Sequence, residues 1–221
     1  KDFVLESYKF NFTKITIAPW LQKKINFTGE SSHIIYNGFD FNYFSLINCI
    51  ENRNKYEIAM LFHKQELKRC VDTFAALEIV KKEYPEIHVS IFGVPDKPNN
   101  LPEWYTYFQK PNKELHNRIY NNASIFVAAS SNEGFGLTVG EAMICGCAIA
   151  CTDNGGFSCM VHNEKTGLLS PVYDVNALAS NIIRLIENDA LRIALAKSGN
   201  QFIQEFTWEN AYSKFNKIVS Y

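Results

Sequence analysis

Residues 56–93 read Y-E-I-A-M-L-F-H-K-Q-E-L-K-R-C-V-D-T-F-A-A-L-E-I-V-K-K-E-Y-P-E-I-H-V-S-I-F-G. The run 58–62 is apolar and of strand length. Leu67, Cys70, Val71, Phe74, Leu77 and Val80 then recur at three and four, which predicts an amphipathic helix over 67–80. Pro85 ends that helix, 88–92 is a second strand, and Gly93 closes it. Two strands joined by a helix pair in parallel, because the crossover returns the chain to the end where it started.

The same alternation extends outward. Downstream, strands are expected near 104–108, 124–129, 147–151 and 167–169, with helices over 113–121 and 137–145 between them. The tail reads as helical, with caps at Asp174 and Thr207. Upstream lie a strand at 14–18, a helix opening at Pro19-Trp20, a strand at 33–36 and the turn Asn37-Gly38. The polar stretch 42–55 has no period and reads as a linker or the edge of the main domain. Regular strand–helix alternation with short connections predicts an α/β protein with a doubly wound parallel sheet.

Composition narrows the function. With 22 Lys plus Arg against 23 Asp plus Glu, the net charge of −1 supplies no field for nucleic acid. The longest nearly apolar run, 142–151, is interrupted by Gly146 and falls far short of the roughly 20 residues of a membrane helix. The chain opens Lys-Asp-Phe-Val, without initiator Met or signal pattern, and reads as a piece of a longer protein. Cys145, Cys147, Cys151 and Cys159 are spaced C-x-C-x3-C-x7-C within apolar sequence, and with Cys49 and Cys70 they read as structural thiols, with no metal expected. Reduced thiols favour the cytoplasm, whereas the N-x-[ST] triplets at Asn11, Asn26 and Asn122 pull the other way.

Ligands of such sheets bind beyond the carboxyl ends of the strands, so the junctions after Phe62, Phe108 and Ala129 matter most. The third, residues 130–143, reads S-S-N-E-G-F-G-L-T-V-G-E-A-M. Gly134 and Gly136 allow a tight turn, and the helix starting near Leu137 aims free N–H groups and a positive dipole end at the crevice, a setting suited to phosphate. Glu133 precedes the helix and Glu141 lies about one turn inside it; a carboxylate accepting two hydrogen bonds suits a vicinal diol. Spacing alone leaves open a plain glycine-rich turn capped by Glu133 with Glu141 solvated. The glycines read G-x-G-x3-G, so neither a dinucleotide fingerprint nor a Walker loop is present.

Residues 133–143, E-G-F-G-L-T-V-G-E-A-M, resemble the E-x7-E signature of retaining GT-B glycosyltransferases of the family-4-like group. Further segments match that group in order: T-I-A-P-W-L at 16–21, I-I-Y-N-G-F-D at 34–40, N-K-E-L-H-N-R-I-Y-N-N-A-S-I-F-V-A-A-S at 112–130, D-N-G-G at 153–156 and T-G-L-L-S-P at 166–171. The match runs from about residue 15 to the C-terminus. The resemblance implies a Rossmann-like domain, the C-terminal half of a GT-B fold. It divides the chain into a remnant of an N-terminal acceptor domain with its linker (1–40), a donor-binding domain (41–206) and a terminal helix that packs back on the acceptor domain (207–221).

By the same resemblance, Glu133 contacts the donor sugar, Glu141 holds the ribose hydroxyls, and the N–H groups of Gly136, Leu137 and Thr138 face the distal phosphate. Lys68 stands where the group carries a diphosphate-binding Lys. His63 occupies the place of its Arg and Arg69 that of a Gly, so Lys64 or Arg69 is an alternative source of the second cation. Gln109 and Lys110 are the candidates beside the nucleobase, and Gly155 and Gly156 would bring their loop near the crevice. The implied reaction moves a sugar from a nucleoside-diphosphate sugar to a hydroxyl with retention, in surface polysaccharide or glycan synthesis. The His63 variant and D-N-G-G are similar to sugar transferases of bacterial surface polymers, which suggests rhamnose as the sugar. No D-x-D triplet occurs, so no metal or other cofactor is expected. The acceptor, a glycan or a lipid-linked one, would be bound by the missing N-terminal domain, leaving this piece able to bind donor but not to transfer efficiently alone. The expected place is the cytoplasm, with peripheral contact to the inner membrane through that domain. A non-catalytic nucleotide-sugar-binding subunit, or an epimerase on the same architecture, are the competing readings.

Overall fold

The computed structural model describes residues 2–220. A short helix, α1 (Asp2–Ser7), leads to β1 (Ile15–Thr16), α2 (Pro19–Asn26) and β2 (His33–Ile34), in which the two strands pair in parallel. The main sheet comprises β3 (Glu57–Phe62), β4 (His88–Gly93), β5 (Tyr105–Gln109), β6 (Ile125–Ala128), β7 (Ala148–Thr152) and β8 (Leu168–Ser170). All are parallel, in the order β5-β4-β3-β6-β7-β8. The helices are α3 (Cys70–Glu83), α4 (Lys113–Asn122), α5 (Leu137–Ile144), α6 (Val175–Glu187), α7 (Asp189–Ile203) and α8 (Trp208–Val219). The expected doubly wound α/β sheet is present.

Side-chain alternation explains why both faces are covered. Ile58 and Met60 of β3, Ile125 and Val127 of β6, and Ala148 and Ala150 of β7 enter one core, with Leu77 and Val80 of α3 and Ile182 and Leu185 of α6. Ala59, Phe126, Ile149 and Cys151 enter the other, with Tyr120 of α4 and Val139 and Met143 of α5. Strands buried on both faces read as continuous apolar runs, which is what residues 58–62 and 147–151 show. The winding direction reverses between β3 and β6, and there the two carboxyl ends lie side by side over an uncovered crevice.

Several elements differ from the sequence expectation. The third helix begins at Cys70 rather than Leu67: residues Glu66–Lys68 form a 3-10 turn, and Arg69 takes a left-handed φ of 47°. That break leaves Leu67 and Val71 exposed and brings Lys68 to the crevice rather than onto the helix face. The helix expected after Asp174 divides into α6 and α7 because the Asn188 side chain accepts from the Leu191 N–H at 2.9 Å, a cap hidden among apolar repeats. The caps at Asp174 and Thr207 form as expected, accepting from Ala177 and Asn210. Helix α1 was not anticipated from its mixed sequence.

The stretch 42–55 is no loose linker. It buries Phe44, Ile50 and Arg53. The Arg53 guanidinium donates to the carbonyls of Asn48 and Ala123, each at 2.9 Å, and to that of Cys145. It thereby satisfies carbonyls at the ends of α4 and α5, where the helix dipoles favour a cation. Of the six thiols expected to be structural, Cys70, Cys145, Cys147, Cys151 and Cys159 are buried, whereas Cys49 is exposed.

Ahead of α8 the chain crosses the segment 34–40. The Phe39 N–H donates to the Phe206 carbonyl at 2.9 Å, and a Cβ on Gly38 would stand 2.5 Å from the Trp208 nitrogen, so only glycine fits. Helix α8 itself has no buried residue. Trp208, Tyr212, Phe215 and Val219 form an exposed stripe along it.

Arg53→Lys should destabilise the fold by about 2–4 kcal/mol, because an ammonium cannot reach carbonyls on three sides and leaves some of them buried without a donor. Urea unfolding at neutral pH measures this; an unchanged midpoint would contradict the role given to the guanidinium.

Candidate functional site

The crevice between the carboxyl ends of β3 and β6 is a cavity of about 680 Å³. Its walls include His63 and Lys68 from the segment after β3, Gly93 from β4, Lys110 after β5, and Glu133, Gly136, Leu137, Thr138 and Glu141 from the junction after β6. Of the residues named from sequence as catalytic or nucleotide-binding, all but Gln109 line it.

Lys68 and Glu133 meet directly, Nζ to Oε1 at 2.7 Å, joining the loops after β3 and β6. Ser130 Oγ donates to the same carboxylate oxygen at 2.8 Å. The backbone beneath is fixed by close approach: a Cβ on Gly156 would lie 2.5 Å from the Glu133 carbonyl oxygen. Gly136 adopts φ 99°, a left-handed conformation that releases the chain into α5 with its first N–H groups toward the cavity. The His63 Nδ1 accepts from the Gln65 N–H at 3.0 Å, which places the proton of the neutral ring on Nε2.

Neither alternative source of a second cation reaches the site. Arg69 is held by Asp72 in a paired contact, Nε and Nη2 each at 2.8 Å, and lies over the Tyr173 ring; neither it nor Lys64 lines the cavity. Gln109 turns away, donating to Asp96 at 3.0 Å, while Lys110, with φ 45°, remains at the wall. Gly155 and Gly156 are absent from the wall as well: Gly156 lies behind Glu133, and Gly155 against the Trp20 ring.

Comparison with known proteins decides the family. The family model described as glycosyl transferases group 1 matches residues 51–202. The chain belongs to the group 1 glycosyltransferases. Over 192 residues it is 26% identical to an uncharacterized glycosyltransferase of Methanocaldococcus jannaschii, covering 87% of this chain and 52% of that protein. It is 29% identical to the capsular polysaccharide biosynthesis glycosyltransferase CapM of Staphylococcus aureus, covering 64% of this chain and 40% of CapM. The chain thus spans about half or less of the length of these relatives. Among solved structures, TarM superposes with a TM-score of 0.85 at 18% identity, over all of this chain and 46% of its own. Anabaena HepE in complex with UDP-glucose gives 0.81 at 16%, over 97% of this chain and 65% of its own. These likenesses establish the GT-B type of fold.

Several residues at this cavity carry no signal in the sequence. The Tyr120 hydroxyl, buried beneath α5, donates to Glu141 Oε2 at 3.0 Å and leans on the Thr138 carbonyl. His116 stacks on the Tyr120 ring at 5.1 Å and lines the cavity; burial lowers its pKa to about 4, so the ring is neutral. Ile17 and Asn37, from the segments before β3, complete the wall. Among the described residues, no group of three or more His, Cys, Asp or Glu side chains could hold a metal ion, and no helix is long and apolar enough to cross a membrane.

Burial raises the Glu141 carboxyl from 4.5 to about 7, against the opposing effect of the Tyr120 hydrogen bond. A carboxyl whose folded pKa is raised holds its proton in the folded state while the unfolded chain has lost it. Stability therefore falls as pH rises from about 4.5 to about 7 and is level beyond. Glu141→Gln removes the titration, so it should gain stability over the parent at pH 8 relative to pH 5, by about 2–3 kcal/mol at most. Urea unfolding at the two pH values reads the difference, and a parallel pH dependence in both proteins would contradict it.

Proposed function

We propose that this cavity binds the nucleoside diphosphate and sugar of a sugar donor, and that the chain is the donor-binding part of a retaining, metal-independent hexosyltransferase acting in polysaccharide or glycan synthesis. The carrying observation is that Glu133, Glu141, Lys68 and the N-terminus of α5 converge on one cavity at the point where the strand order reverses. In this reading Glu141 takes the ribose hydroxyls and Glu133 the sugar. Lys68, the His63 Nε2–H and the first N–H groups of α5 receive the charge that develops on the departing diphosphate, as donors fixed before the reaction. Loss of one such donor commonly lowers the rate by about 10²–10³.

The relatives point the same way: they include CapM and the O-antigen chain mannosyltransferase B of Escherichia coli, and the fold is shared with HepE bound to UDP-glucose. The acceptor site belongs to the remainder of the enzyme, against which the exposed stripe of α8 packs. Residues 1–40 then supply the end of that acceptor domain and the linker, 41–206 the donor domain, and the full enzyme works in the cytoplasm at the inner membrane.

Calorimetric titration with UDP, GDP, dTDP and ADP tests the reading. One nucleotide should bind selectively, and Glu141→Ala and Lys68→Ala should each weaken it roughly tenfold or more, the size of a lost charge-assisted hydrogen bond. Binding indifferent to both substitutions would move the nucleotide elsewhere, and absence of binding to all four would overturn the proposal.

A further inference from the structure

The loop that carries Glu133 is held from outside by a residue far away in sequence. The Trp20 indole Nε1 donates to the carbonyl of Gly134, the residue after Glu133, at 3.3 Å. Its ring lies flush against Gly155, which has φ 81° and where a Cβ would stand 3.1 Å from the indole. Gly156 in turn lies beneath Glu133, where a Cβ would be 2.6 Å from the glutamate Cβ. Trp20, Gly155–Gly156 and Glu133 therefore form one stack. A second contact comes from the same segment: Ile17 Cδ1 would be 3.5 Å from a Cβ on Gly134, and Ile17 lines the cavity. On the inner side the stack is tied by Asn154, whose Nδ2 donates to the Ser130 carbonyl at 2.9 Å and whose Oδ1 accepts from the N–H groups of Gly156 and Phe157.

We propose that Trp20 is a positioning residue that sets the backbone of the Glu133–Gly134 loop, so that α2, which carries it, adjusts how the site grips the sugar end of its donor. The proposal rests on the reading of Glu133 as the sugar contact and of Glu141 with α5 as the nucleotide contact. Ser130 and Lys68 fix the direction of the Glu133 carboxylate. Trp20 fixes where its backbone stands, since a carbonyl engaged by a donor cannot rotate freely. The nucleotide end is held by α5, Glu141 and Tyr120, none of which forms the hydrogen bond with Trp20. Loss of the indole should consequently act on the sugar and spare the diphosphate, a selectivity that a general packing defect does not produce.

The test compares Trp20→Phe, which keeps a ring on Gly155 and deletes the N–H, with Trp20→Ala and Glu133→Gln. Each is titrated with UDP and UDP-glucose, and with GDP and GDP-mannose. The expected result is that Trp20→Ala weakens the preferred sugar nucleotide by about fivefold or more and Trp20→Phe by about two- to threefold, with the matching diphosphate changed less than twofold, in the pattern Glu133→Gln shows more strongly. Should Trp20→Ala fail to fold, Trp20→Phe and amide exchange at residues 133–136 carry the test, and exchange there should quicken while the sheet stays protected. A selective loss in Glu133→Gln with equal losses, or none, in the Trp20 variants would overturn the role of Trp20. If Glu133→Gln shows no selective loss, or no sugar nucleotide binds more tightly than its diphosphate, the reading of Glu133 falls and the inference with it.

Discussion

The contact between Lys68 Nζ and Glu133 Oε1, 2.7 Å long, joins the loops that leave β3 and β6, the strands between which the sheet reverses direction. A parallel sheet leaves these two carboxyl ends adjacent with nothing covering them, so the loops alone decide the shape of the crevice. An ion pair with both partners mostly shielded from water keeps its geometry better than an exposed one, and the Ser130 hydroxyl adds a second donor to the same oxygen. The pair also explains the shape of the chain before α3. Had the helix begun at Leu67, Lys68 would ride on its face; the 3-10 turn and the left-handed Arg69 carry it to the glutamate instead. A left-handed φ on arginine costs conformational energy that glycine would not incur, and here the paired contact with Asp72 offsets it.

Backbone proximity is the second constraint. Glu133 can stand where it does because Gly156 has no side chain beneath it, and α5 can start where it does because Gly136 turns through a positive φ. Both glycines sit in hydrophobic or polar packing so close that one methyl group would displace the site. The D-N-G-G stretch is thus a support for the site rather than part of its wall, and the Asn154 side chain fastens the two loops together.

The alternation of strands and helices was legible because parallel strands buried on both faces write themselves as short apolar runs, as at Ile58–Met60 and Ala148–Cys151. The E-x7-E segment was legible because both glutamates lie in one short stretch, Glu133 in the loop before α5 and Glu141 within that helix. What escaped depends on contacts between distant segments. Arg53 lies in a stretch with no period, and only the fold brings the ends of α4 and α5 to its guanidinium. Trp20 precedes Gly134 by 114 residues, and nothing local marks it as a partner of that carbonyl. Tyr120 reads as one more apolar position of α4 until its hydroxyl is seen to end at Glu141. Gln109 failed for the opposite reason: adjacency in sequence to a cavity-lining Lys110 does not fix direction along a strand, where successive side chains point to opposite faces.

The two glutamates of the signature stand in unlike environments, and that contrast carries chemical meaning. Glu133 faces a lysine ammonium and a hydroxyl, which both donate to one of its carboxylate oxygens. Glu141 has only the Tyr120 hydroxyl to offset its desolvation, and its carboxyl is raised to about 7. With its proton partly retained near neutrality, Glu141 can both donate to and accept from neighbouring hydroxyls. A vicinal diol, which needs acceptors for two O–H groups and can also accept, suits such a carboxyl. Charge near the signature helix is largely offset: Lys68 is paired with Glu133 and the His116 ring is neutral because burial lowers it to about 4, which leaves Lys110 as a wall lysine outside that pair. On the proposed reading, a diphosphate would meet the positive end of α5, the Lys110 ammonium and the hydrogen-bond donors at the wall, groups whose positions are set before any ligand arrives.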